Sequence, residues 1–177
     1  MKHDFKIIFL LVALFLVAQL IGLIILNKLM HEELAFGIQR PELKKETSFI
    51  YIFLIIIIVT IVALIIARFN AIRLWKFWFS VSMILVLTIA LSAFINQYLA
   101  FFLSLFGAYF KIFKPNIIIH NLTELFIYGG LAALFVPILN LLSISILLVL
   151  IALYDAIAVW KTKHMISLAK FQSKLKL

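Results

Sequence analysis

The sequence contains no cysteine. That excludes disulfide frameworks, thiolate metal sites and cysteine nucleophiles together. Charge is also scarce. Asp, Glu, Lys and Arg make up 13% of the 177 residues, about half the usual share of roughly 25%. Acids are scarcest, seven against sixteen Lys and Arg. A chain so poor in charge is not a solvated disordered segment, which needs low hydrophobicity and high net charge. Alternating apolar and polar ten-residue stretches, the mark of a membrane β-barrel, are missing as well.

What remains is overwhelmingly apolar. Hydrophobic residues make up 67% of the chain, with a mean hydropathy of +1.25, whereas a soluble domain runs at roughly 45–50%. The runs are continuous, as in FLLVALFLVAQLIGLIIL and FIYIFLIIIIVTIVALIIA. These features predict an all-α, polytopic membrane protein. The net charge of +9 is then read as basic residues retained in loops, with the lipid bilayer and not nucleic acid as the partner.

About 20 apolar residues cross the hydrocarbon core as a helix. Counting such runs predicts six spans, at about 7–27, 49–67, 77–95, 97–113, 117–139 and 141–160, making residues 1–160 one transmembrane domain. The first run is too long for a cleaved signal peptide and no small-x-small site follows it, so it is expected to be retained. Residues 161–177, KTKHMISLAKFQSKLKL, continue the helical period as a basic amphipathic tail or linker. Met165, Leu168, Ala169, Gln172 and Leu175 share one side of it.

Basic residues set the orientation. Lys2, Lys6, Arg68, Arg73, Lys76, Lys111, Lys114, Lys161, Lys163, Lys170, Lys174 and Lys176 all fall on one predicted side, twelve of the sixteen. The other side holds Lys28, Arg40, Lys44 and Lys45, offset by Glu32, Glu33, Glu42 and Glu46; its connections around Asn96-Gln97 and Asn140 are uncharged. Both termini are expected in the cytoplasm, in a cell-membrane protein. Trp75, Trp78 and Trp160 fall at the cytoplasmic edges, where amphipathic rings settle.

Two acids lie within the predicted spans, Glu124 and Asp155. A carboxyl there costs about 2.5–3.5 kcal/mol on insertion scales and is a functional candidate by default; the alternative is a hydrogen bond to a neighbouring helix. Asp155 lies six residues before Lys161, about 9 Å inside the boundary, with Tyr154 beside it and the small Ala152 and Ala158 at i−3 and i+3. Glu124 follows His120 by four residues, so the two share a helix face. His120, Glu124 and Asp155 are a possible polar relay of a transporter or proton-conducting subunit. A metal site is not expected from so sparse a set. Asn121-Leu122-Thr123 fits the glycosylation pattern but falls in or beside a span on the cytoplasmic side. Gly129, Gly130 and Pro137 imply either close packing with a kink or a flexible helix along a substrate path.

The stretch YDAIAVWKTKHM, residues 154–165, closely resembles the first catalytic motif of the presenilin and signal peptide peptidase family of intramembrane aspartic proteases, above all its archaeal, presenilin-like members. HNLTELFIYGG and the following FVPIL are similar to such members too. The resemblance implies that Asp155 is one of two catalytic aspartates, with Tyr154 its motif partner. It implies peptide-bond hydrolysis in membrane-spanning substrates, with water as nucleophile and no cofactor or metal. Two close carboxyls would share one proton, one acting as base and the other as acid.

The family has nine spans, with a Gly-x-Gly-Asp motif in the seventh and Pro-Ala-Leu at the ninth. Neither motif occurs in these 177 residues. The chain thus resembles the N-terminal half, the first six spans, and is expected to be inactive alone. Its expected partners are transmembrane peptide substrates and a C-terminal half bearing Gly-x-Gly-Asp. A non-catalytic, pseudo-protease interaction fragment is the other reading.

Overall fold

The computed structural model describes residues 5–114 and 116–175, without the side chains of Lys6, Lys174 and Leu175. Lys2, Lys176 and those two lysine side chains, all counted in the charge asymmetry, therefore lie outside what it describes. The chain runs α1 (Phe5–Leu29), α2 (Ser48–Arg68), α3 (Ile72–Ser92), α4 (Gln97–Phe113), α5 (Ile117–Phe135), α6 (Leu141–Ala156) and α7 (His164–Leu175). Short 3₁₀ turns occupy Ala35–Gly37 and Val136–Ile138, and a π turn occupies Ile157–Lys161. Five helical stretches among the described residues are long and apolar enough to cross a bilayer, and α4 is shorter. At 17 residues it is about 26 Å long against a core of about 30 Å.

Large side chains point outward along these helices. Ile55, Ile58, Ile61 and Ile65 of α2 are all exposed, while the buried positions are often small: Ala90, Ala100, Ala108, Ala133, Ala158, Ser48, Ser104 and Ser143. In lipid there is no hydrophobic gain in hiding isoleucine, and small residues let backbones approach. The protein is all-α and polytopic in the membrane.

Helix ends follow local chemistry. Asn96, Asn116 and Asn140 each accept a backbone N–H at a helix start, from Tyr98, Ile118 and Ser143. The residues read as uncharged connections are N-caps. The third helix departs most from expectation, occupying Ile72–Ser92 instead of 77–95. Arg73 and Lys76 depress hydropathy but are good helix formers, so the helix begins before its apolar run does. It stops at Ser92, leaving a short turn before the Asn96 cap. The fifth α-helix ends at Phe135 because Pro137 has no N–H to continue it.

The chain divides into two compact units. One holds residues up to 39 and 81–136, the other 40–80 and 137 onward. In the first, α1 and α5 pack closely through Gly22 and Gly129, whose added Cβ would come within 2.5 Å of Ile25 Cδ1. Ile25, Leu29, Leu34, Ile89, Ala90 and Ala133 form its core. A Cβ on Gly130 would sit 2.4 Å from the Val86 carbonyl oxygen of α3. The two glycines therefore serve close helix packing. Gly130→Ala is expected to lower stability by about 1–3 kcal/mol, since a backbone must move to admit the methyl. Gly107→Ala, whose Cβ would meet only Thr123 Cγ2 at 3.4 Å and Leu87 Cδ1 at 3.5 Å, should be nearly neutral. Unfolding of both variants in detergent micelles provides the comparison.

In the second unit, Ile52, Ile138 and Leu147 pack with Phe49, Phe53 and Ile151 between α2 and α6. The buried Ser143 hydroxyl donates to the Lys45 carbonyl, as does Ser48 at 3.0 Å. The start of α6 is thereby tied to the start of α2. At the other end, α7 packs on this unit through Leu168 and Phe171, the latter edge-to-face with Trp75 at 5.4 Å. The tail face is rotated from that expected: Ala169 and Gln172 are exposed. Leu168 and Phe171, three residues apart, form the buried side instead, and Lys163, with a φ of 56°, separates α7 from α6.

Candidate active site

Tyr154 and Asp155 occupy the last turn of α6. Immediately beyond them the backbone widens into the π turn, where the Thr162 N–H reaches the Ile157 carbonyl at 3.0 Å. Such insertions recur at functional sites because they re-aim a helix end without breaking it. The Thr162 hydroxyl donates toward the Ile157 and Ala158 carbonyls, at 3.3 and 3.4 Å. Lys163 then turns the chain, and His164 opens α7.

His164 comes back onto Tyr154. Its Nε2 and the Tyr154 hydroxyl share a hydrogen bond at 3.1 Å, and its Nδ1 lies 2.6 Å from Thr162 Oγ1. Phe53 of α2 meets the Tyr154 ring edge-to-face at 6.3 Å. Tyr154 is thus held from two elements, α2 and α7, and fixes the end of α6. Asp155 is the next residue, about 100° around the helix. It is half-buried and has no hydrogen-bond or ion-pair partner among the described residues. Of its flanking alanines, Ala158 is fully buried and Ala152 exposed.

Glu124 is held quite differently. It lies in the other unit, in direct contact with the Lys111 ammonium from the last turn of α4. Lys111 is only 4% exposed, although its place near a helix end made it a loop cation in the positive-side count. The tight connection between α4 and α5 makes the two helices neighbours. Glu124 stands about 10 Å into α5 and Lys111 about 3 Å from the end of α4, a difference that a long lysine chain covers. That geometry was the available signal. His120 is exposed and makes no hydrogen bond to Glu124 among the described residues; its carbonyl accepts from the Thr123 hydroxyl at 2.9 Å. No cluster of three His, Asp or Glu side chains suited to a metal occurs among them either.

The two intramembrane acids therefore have opposite characters. Glu124 is a carboxylate neutralised by a buried cation, as a costly charge in lipid requires. Asp155 has neither oxygen paired among the described residues and sits on a helix end held by Tyr154. One carboxyl can accept or donate one proton; it cannot be base and acid in the same step.

Comparison with known proteins adds one finding. The model of the family described as signal-peptide peptidase, presenilin aspartyl protease matches residues 12–177. No curated protein and no solved structure gives a significant match.

Proposed function

The chain belongs to the signal-peptide peptidase and presenilin aspartyl protease family, and from that premise we propose that Asp155 is one of two catalytic aspartates of an intramembrane endopeptidase. The reading is supported by one contrast above all: of the two acids on apolar helices, the one in the family's Tyr-Asp motif has no partner among the described residues, and the other pairs with Lys111. In this reading Tyr154 is a positioning residue. Bound to His164 and packed on Phe53, it holds the helix end that carries Asp155. With water as nucleophile, the ionised partner of the dyad removes a proton from the attacking water while the protonated partner gives one to the peptide carbonyl oxygen. A gem-diol results, and its collapse with protonation of the departing nitrogen cleaves the bond.

The second aspartate lies outside residues 1–177 in this reading, which contain no Gly-x-Gly-Asp. Its Gly-rich helix can be continuous with this sequence or come from a separate chain. Purified residues 1–177 should leave a transmembrane reporter intact, and co-expression with a C-terminal half bearing Gly-x-Gly-Asp should produce cleavage. Cleavage by the isolated chain that depends on Asp155 would instead mean a symmetric dimeric site.

We further propose six spans, in a cell membrane, with both ends cytoplasmic, on the strength of the basic-residue asymmetry. Reporter fusions after Lys45 should report outside, and those after Lys76, Lys114 and Leu177 inside. An outside signal at Leu177 would remove the sixth span and with it the depth assigned to Asp155.

A further inference from the structure

The second unit carries a cleft that the protease chemistry does not use. It lies between the end of α2 and α7 and has a volume of about 610 Å³, within the range of about 300–1,000 Å³ typical of small-ligand sites. Arg68, Asn70, His164, Ser167 and Lys170 supply its polar wall. Leu64, one turn deeper in α2, and the buried Phe171 supply an apolar wall. Asn70 lines the cleft where the chain turns out of α2 in a left-handed conformation, with a φ of 51°. Among the described residues neither Arg68 nor Lys170 has an ion-pair partner. None is at hand in sequence: Asp155 is the sole acid in residues 64–80 and 155–177, which hold eight Lys and Arg.

We propose that this cleft binds a phosphate group, presented by the headgroup of an anionic phospholipid. A guanidinium presents forked donors that match phosphate oxygens, and an ammonium adds a compact charge beside it. Ser167 and Asn70 supply neutral donors. The N-terminal turn of α7, where His164 and Ser167 lie, adds the positive end of a helix. The apolar wall formed by Leu64 and Phe171 suits the first carbons of an acyl chain. A soluble phosphate ester would share the polar contacts but not the apolar ones. His164 is both a wall of the cleft and the hydrogen-bond partner of Tyr154, so a bound headgroup would stand one side chain away from the residue next to Asp155. The phosphate site itself does not depend on proteolysis.

The test uses the full 177-residue chain in detergent micelles, with thermal unfolding followed during titration by dioctanoyl phosphatidylglycerol, dioctanoyl phosphatidylcholine or inorganic phosphate. A ligand of the folded state raises the unfolding temperature with concentration. Phosphatidylglycerol should do so at lower concentration than phosphatidylcholine. The exposed double variant Arg68→Gln/Lys170→Gln should shift its midpoint up by about thirtyfold, the order expected for removing two interfacial cations. The control Arg73→Gln/Lys161→Gln removes the same charge outside the cleft and should leave the midpoint in place. Stabilisation by the lipid and not by inorganic phosphate assigns the headgroup; equal stabilisation by inorganic phosphate, lost in the same double variant, assigns a soluble phosphate to the same site. Equal responses to the two lipids, an unshifted midpoint in the cleft variant, or an equal shift in the control would overturn the proposal.

Discussion

Lys111→Met is expected to destabilise the protein more than any other single change considered, by about 3–5 kcal/mol, because it strands the Glu124 carboxylate without its buried cation. Glu124→Gln should also destabilise, since Lys111 is left enclosed with only a neutral amide beside it. The double variant Lys111→Met/Glu124→Gln should recover most of the loss. A buried pair commonly contributes little net stability against neutral replacements, although breaking one half of it is costly. Unfolding of the three variants in micelles gives the coupling directly. Additive effects in the double variant would mean that the two groups act independently and that Glu124 is available for other chemistry.

The second large effect is on activity and leaves stability almost untouched. Asp155 has no partner among the described residues, so Asp155→Asn replaces the carboxyl with an amide of the same shape without orphaning another group. A change in folding free energy of about 0.5 kcal/mol or less is expected, the range for substitutions away from networks and caps. In the complemented system the same change should lower cleavage by at least about 10²–10⁴-fold, the contribution of one general acid–base group, because an amide cannot share the dyad's proton. A stability loss for Asp155→Asn as large as that for Lys111→Met would mark Asp155 as structural.

The contrast between these acids shows how far the sequence carries. Apolar runs locate helices well where composition changes abruptly, as at Ser48–Arg68 and Ile117. They fail where charged helix formers extend a helix beyond its apolar part, as Arg73 and Lys76 do at the start of α3. Within α7 the helical period groups Leu168 with either Ala169 and Gln172 or with Phe171, and only packing selects Leu168 and Phe171 as the buried side. Asp155 stood out because a single acid in a twenty-residue apolar run is conspicuous, and its neighbours resemble a known motif. Its freedom from partners was not legible, since that depends on what other helices bring near it. The Lys111–Glu124 pair, 13 residues apart on two helices, is legible only once α4 and α5 are taken as adjacent and their depths compared. The link from Tyr154 to His164 depends on the chain turning back after Lys163.

The most direct test of the central claim is cleavage of a transmembrane reporter by residues 1–177 co-expressed with a Gly-x-Gly-Asp half, compared between the wild-type chain and Asp155→Asn at matched abundance of folded protein. Cleavage should appear with the wild-type chain and vanish with Asp155→Asn. Cleavage that survives Asp155→Asn at the wild-type rate would contradict the assignment of Asp155 as a catalytic aspartate.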